Sequence, residues 1–350
     1  MRVISLFNHK GGVSKTTTTF NLGWTLAELG FKTLVVDADP QCNLTSLVMG
    51  YEHVEDIDSV YGSDQDNIYS GVSPVFEGAL SKLEPIKITP TSQENLFLLC
   101  GSINLSEAER QIAVALTTSG AIPAIKSIPG SLNALIRMTA AKHEIDYVLI
   151  DMSPSIGALN QSLLMGSDYF IMPTSPDFFC AQAVLSLSRV LPMWNKEIDM
   201  FRGKGLTYSF PSAPPKFIGF ISQKYRPRNS APARAFQHWI DVINNEVVNT
   251  LVPRLTAIGM SVSESSFESG VIGKTDSQEA FNLANIADFN SLIAKSQEHA
   301  VPVFALSKTQ IMQSGVILEK MIESRDSFRE TFLNLARSLD AIAELSEQDR

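Results

Sequence analysis

VISLFNHKGGVSKTTTT, residues 3–19, decides how the rest of the chain is read. A short apolar run (Val3, Ile4, Leu6, Phe7) leads into a loop holding Lys10, Gly11, Gly12, Val13 and Ser14. Lys15 and Thr16 then open a helical pattern. Strand, glycine loop, Lys-Thr pair and helix, in that order, make a cradle for a phosphate chain. Glycines let the loop backbone wrap an anion with its N–H groups, and the helix N-terminus adds the positive end of its dipole. In such a cradle Lys15 reaches the β- and γ-phosphates and the Thr16 hydroxyl ligates Mg²⁺. The strict pattern G-x-x-x-x-G-K-[ST] nevertheless fails twice, with His9 at its first glycine and Ser14 at its second. If the Ser14 backbone must take φ > 0, its side chain costs about 1–2 kcal/mol. If that residue is already helical, the cost is small.

Working outward, nearly continuous apolar runs recur at residues 3–7, 33–37, 96–100, 147–151, 169–173, 216–222 and 301–306. Strands buried on both faces read this way, as in a parallel sheet covered by helices. Residues 20–29 between the first two runs fit a helix stopped by Gly30. The alternation implies an α/β fold, a doubly wound and mostly parallel sheet with helices on both faces. Two segments break the rhythm. Residues 52–66 carry Glu52, Glu55, Asp56, Asp58, Asp64 and Asp66 without Lys or Arg, and with Gly71–Pro74 they are expected to form a surface excursion. The proline-bearing stretch 203–215 is expected to be a loop between helix and strand. Phe328, Phe332, Leu335, Leu339 and Ile342 lie at helical spacing, so the C-terminus should pack on the body as a helix.

The 350 residues are 44% hydrophobic and 19% charged, with ample material for a core. Cys42, Cys100 and Cys180 are odd in number and widely spaced, which argues against disulfides and structural zinc. No 18-residue apolar stretch suggests a membrane span, and Asn8, His9 and Lys10 interrupt the first apolar run too early for a signal peptide. The cytoplasm is the expected address, with nucleoid association if DNA is bound. A net charge of −9 argues against a protein that coats nucleic acid over its whole surface.

Two further pieces carry chemistry. The second run ends Val35-Val36-Asp37-Ala38-Asp39, placing two carboxylates at the carboxyl end of a parallel strand, where ligands bind in such sheets. One can orient an attacking water while the other supports the Mg²⁺ shell. The run at 147–151 closes on Asp151, and an aspartate at a buried strand end near a phosphate loop is the usual outer-shell partner of Mg²⁺. A basic stretch (Lys216, Lys224, Arg226, Arg228, Arg234) contains no acid. It reads either as a phosphate-backbone contact with nonspecific DNA or as a solvated or nucleotide-proximal loop.

These residues carry a resemblance. Lys10-Gly11-Gly12-Val13-Ser14-Lys15-Thr16-Thr17 resembles the deviant phosphate loop of the ParA/MinD superfamily. Asp37-Ala38-Asp39-Pro40-Gln41-Cys42-Asn43 is similar to its ParA branch, as is Tyr147–Asp151 followed by Pro154-Ser155 and Asn160. The match is strong over about the first 50 residues and 146–191, and weak over 50–142 and 192–300. It implies one ParA-like ATPase domain over 1–350, diverged or carrying an insertion at about 51–142 and loop-rich at about 203–300.

The resemblance also implies roles. Residues Gly11 to Ser14 cradle the phosphates of ATP, Thr17 contacts the α-phosphate, and Thr16, Asp37 and Asp151 serve Mg²⁺. Asp39 positions the attacking water. Lys10 is the signature lysine, reaching the phosphates of a second copy across an ATP-sandwich homodimer. Asn160 links the site to the dimer surface. Gln223 and Tyr225 follow a strand that often ends near adenine, although core or loop roles fit them equally. The implied function is a slow, partner-stimulated ATPase switch for plasmid or chromosome partition, with a ParB-like adaptor and no membrane. Lys224, Arg226, Arg228 and Arg234 are then the candidate DNA contacts. The rival implication is a relative that positions a protein partner without DNA. Ser14, where the family usually has glycine, leaves the hydrolysis rate open.

Overall fold

A computed structural model describes residues 1–50, 66–77, 82–118, 125–203, 205–225, 227–228, 231–232, 234–275 and 279–349, with side chains left out for 227–235. The strands are β1 (Arg2–Leu6), β2 (Thr33–Ala38), β3 (Thr89–Pro90), β4 (Leu96–Leu99), β5 (Tyr147–Met152), β6 (Tyr169–Thr174), β7 (Lys216–Tyr225), β8 (Pro227–Arg228), β9 (Ala231–Pro232) and β10 (Asn282–Ala287). Eight of them form one sheet in the order β10-β7-β6-β1-β5-β2-β4-β3, while β8 and β9 pair separately. All neighbours in the large sheet are parallel except β3 and β4. Every residue of β2, β5 and β6 is buried, which is why these segments read as unbroken apolar runs.

The helices are α1 (Lys15–Glu28), α2 (Asn43–Met49), α3 (Ile68–Glu77), α4 (Leu105–Thr118), α5 (Ser131–Lys142), α6 (Ala158–Gly166), α7 (Phe178–Ile198), α8 (Arg234–Glu246), α9 (Val252–Thr256), α10 (Glu264–Val271), α11 (Leu292–His299), α12 (Lys308–Ile311) and α13 (Gly315–Gln348). From β1 the chain steps outward to β2 and β4, then returns through β5 and leaves the other way through β6 and β7. Right-handed crossovers in opposite directions put helices on opposite faces, giving the expected doubly wound fold. α13 carries Phe328, Phe332, Leu335, Leu339 and Ile342 inward, all buried as its spacing implied. Arg2 ties it to β1 through Asp340 at 2.7 Å and Glu347 at 2.9 Å.

Two expectations are corrected. Residues 301–306 are not a strand. Pro302 lacks a ladder donor, and Val303–Ala305 instead forms a 3-10 turn that plugs Phe304 against Phe332, with ring centroids 5.7 Å apart. The outer parallel strand is β10, whose Asn282 and Asn285 interrupt the apolar run and bond each other. Gly71–Pro74 is not a surface excursion either. It lies inside α3, where Gly71 is buried so closely on α5 that a Cβ there would come within 2.7 Å of Leu135. Residues 52–65 fall outside the described residues. The stretch 205–215 runs between the 3-10 turn Asp199–Phe201, which follows α7, and β7, with no helix or strand of its own, as expected of a loop.

The seat of α1 on the sheet depends on Gly23, where a Cβ would lie 2.6 Å from Val35 of β2. Gly23→Ala is expected to overpack this contact and cost about 1–3 kcal/mol. A urea unfolding midpoint that falls by the corresponding amount, at unchanged slope, checks it.

Candidate functional site

Strand register assembles the site. Asp37 and Asp151 are Cα partners across β2 and β5, and Asp151 pairs with Leu6 of β1, so both carboxylates stand at the carboxyl edge where the first loop begins. The loop turns through two left-handed residues, Gly12 (φ 75) and Ser14 (φ 58, ψ 31). Gly12 has the residue type its conformation demands. Ser14 takes the strained alternative considered from sequence, at about 1–2 kcal/mol, and its side chain makes no cap to α1. Val13 is buried beneath the loop, and Gly11 leaves ordinary contact distance to Pro154.

Lys15 is buried and donates to the carbonyls of Asn8 at 2.9 Å and Lys10 at 3.3 Å. Burial lowers its pKa, against the opposing pull of Asp151 and Asp39. Asn8 fixes the loop entrance, donating to Pro173 O at 2.8 Å and accepting from Lys10 N–H at 3.0 Å. Asp37 accepts from the Thr45 N–H and hydroxyl, each at 2.7 Å, and so anchors the first turn of α2. Burial pushes its carboxyl up to about 6 even against those bonds. Asp39 sits at the cavity wall, receiving the Gln41 N–H at 3.0 Å.

Asp151 stands apart. Its carboxylate is buried, and neither oxygen has a hydrogen-bond partner among the described residues. Burial and then the Asp37 charge push its pKa well above the carboxylate range, with Thr16 and Lys15 pulling the other way. A buried acid beside the Thr16 hydroxyl and Lys15 suits a hard cation held largely through water and phosphate oxygens. Among the described residues no cluster of three His, Cys, Asp or Glu is placed to hold a metal ion by itself.

The loop from Gly12 to Thr17 and Asp39 open on a cavity of about 710 Å³, within the range of small-molecule sites. Its lining combines Gly12 to Thr17, Asp39, Gln41 and Asn43 with Gln223, Lys224, Ala287, Asp288 and Phe289. Thr18 donates to Gln223 Oε1 at 3.0 Å, leaving the buried Nε2 without a partner among the described residues. The lining combines N–H groups and cations that suit phosphates with apolar surface and a free amide donor that suit a base.

A family described as AAA domain matches residues 1–200, more than half of the chain. The chain is 29% identical over 258 residues to the chromosome partitioning protein ParA of Caulobacter vibrioides, covering 73% of this chain and 81% of that one. It is 29% identical over 198 residues to the sporulation initiation inhibitor protein Soj of Bacillus subtilis, covering 57% and 68%. This protein belongs to the ParA/MinD superfamily of P-loop ATPases. Solved structures with the same fold include protein DIP2308 of Corynebacterium diphtheriae, with a TM-score of 0.63 and 21% identity over 86% of this chain and 97% of that one. Cyanothece McdA(D38A) in complex with ATP gives a TM-score of 0.58 at 15% identity, over 95% and 96%.

Lys10 is placed differently from Lys15. It is absent from the lining of its own cavity, and its ammonium binds Asp177 at 2.6 Å and Ser175 at 3.0 Å. Asp177 also caps α7, accepting from Cys180 N–H at 2.9 Å. Burial raises the Asp177 carboxyl, but its bonds from Lys10, Cys180 and Ser175 hold it below its ordinary value. Sequence reasoning missed Asp177, Ser175 and Asn8. The Ser-Pro-Asp before Phe178 was available as an N-cap signal, but nothing local pairs it with Lys10. Asn160 donates to the Ser153 and Ser155 carbonyls, bracing the loop that brings Pro154 to the cavity. Lys224 lies on the cavity, Lys216 bonds Ser346 on α13, Arg226 lies outside the described residues, and the Arg228 and Arg234 side chains are not described. Cys180 is buried, its thiol pushed up to about 11 by that burial, and is no nucleophile.

A carboxyl whose folded-state pKa is raised favours the fold while protonated, and that advantage is lost as pH rises through the raised value. Asp151→Asn removes the buried charge. The ligand-free variant is expected to melt higher than wild type, with a gap that widens as pH rises out of the carboxylate range. Its Mg²⁺-dependent nucleotide affinity should fall about tenfold or more. Thermal melts across pH and calorimetric titrations read both effects.

Proposed function

We propose that this protein is a Mg²⁺-ATP-dependent switch working as a homodimer, each copy supplying Lys10 to the nucleotide held by the other. The observation behind this reading is the placement of Lys10, which sits outside its own cavity while Lys15 lines it. In this reading the N–H groups of Gly11 to Lys15 hold the phosphates, and Thr17 contacts the α-phosphate. Thr16 with Asp151 would hold Mg²⁺, which would supply positive charge against the phosphate chain. Asp39 orients the attacking water. Asp37, held by Thr45, fixes the segment carrying Asp39 and supports the metal region from behind. Gln223 offers its amide to the base. Hydrolysis is slow in isolation because one stabilising charge arrives only with the second subunit, the logic of an arginine finger.

A partition role with nonspecific DNA binding rests on the relatives' names and on the basic residues Arg226, Arg228 and Arg234, with a ParB-like adaptor as the stimulating partner. The competing reading, recruitment of a protein without DNA, draws on the acidic net charge of −9 and on exposed Phe178 and Phe179 beside Asp177. Among the described residues no helix is long and apolar enough to cross a membrane.

Light scattering should show a monomer with ADP and a dimer with Mg²⁺-ATP. Lys10→Ala should keep ATP binding while turnover falls about a hundredfold. An unchanged mass with ATP would reject the switch. DNA retention that needs ATP, weakens steeply with salt and is lost in the Arg226→Ala, Arg228→Ala double variant would favour partition over protein recruitment.

A further inference from the structure

We infer that Lys224 is a nucleotide-gripping residue, an ammonium that holds the phosphate chain from the β7 side of the cavity. The inference rests on the ATP-binding reading above. Along β7 and β10 the register runs Ile286 with Gln223 and then Ala287 with Tyr225, so Lys224 is an extra residue bulged out of the ladder. Its backbone sits at φ 63, in the left-handed region that disfavours any side chain but glycine. Bulges near functional sites re-aim a side chain, and strain of this kind persists where surrounding structure enforces it.

The bulge aims the side chain at the phosphate loop. Lys224 Nζ donates to Gly12 O at 2.7 Å, and Lys224 lines the same cavity as Gly12 to Thr17. Gly12 O is an acceptor at the rim of a cradle otherwise built from donors. An ammonium carries three donors, so its bond to this carbonyl leaves others for a phosphate oxygen. Lys15 approaches from beneath the loop and Lys10 is held by Asp177, which leaves the β7 side to Lys224. The same contact holds the Lys224 amine beside the phosphate loop at the exposed rim of the cavity.

The test compares wild type, Lys224→Ala and Lys224→Arg by calorimetric titration with ADP and with adenosine, so that hydrolysis does not enter. Losing a charge-assisted bond should weaken ADP about tenfold in Lys224→Ala. Arginine should restore most of it, and adenosine affinity should not change. Thermal melts confirm that the variants fold. ADP affinity unchanged in Lys224→Ala overturns the inference, as does an equal loss for ADP and adenosine. Loss of DNA retention with ADP affinity intact also overturns it and returns Lys224 to the DNA reading. A wild type that binds no ADP sinks the ATPase reading and this inference together.

Discussion

Burial of charge at one edge of a parallel sheet is the constraint on which the rest of the molecule depends. Asp37, Asp151 and Lys15 are all buried where β1, β2 and β5 end. Isolated charges in such surroundings are costly. Asp37 is compensated by Thr45 and the first turn of α2, and Lys15 by two loop carbonyls. Asp151 is left without a hydrogen-bond partner among the described residues. The fold thus buries an acid at its centre that Thr16 and Lys15 only partly offset, and the left-handed turn at Ser14 adds strain to the same loop. Stability is given up where ligand binding can return it.

The cations around the loop have different placements, and their differences organise the functional reading. Lys15 is buried inside, Lys224 reaches in from a bulge in β7, and Lys10 is paired outside with Asp177. The Asp177 contact joins the loop to the N-terminus of α7, where Phe178 and Phe179 are exposed. In the proposed dimer, moving Lys10 onto another phosphate would break this ion pair, whose carboxylate also caps α7 through its other oxygen.

Much of this was legible in the sequence. The loop, Asp37, Asp39 and Asp151 could be placed because doubly buried parallel strands announce themselves as apolar runs, and the residues closing those runs must lie at the sheet edge. β10 was hidden because Asn282 and Asn285 interrupt its apolar run, while residues 301–306 were apolar enough to imitate a strand despite Pro302. α3 was obscured by Gly71 and Pro74, read as breakers although Gly71 is there for close packing. The Lys10–Asp177 pair spans 167 positions, and the aim of Lys224 depends on a one-residue register shift. Neither has a local signature.

The central claim is that the site is completed by a second copy of the chain. Mixing Lys10→Ala subunits with Asp39→Ala subunits tests it most directly. Each variant alone lacks one piece of every site, but a mixed dimer contains one site with an intact Asp39 and an intact Lys10 from the other subunit. The account predicts that the mixture regains ATP turnover well above the sum of the separate variants. Turnover that stays at that sum, with mixed dimers shown to form, would contradict it.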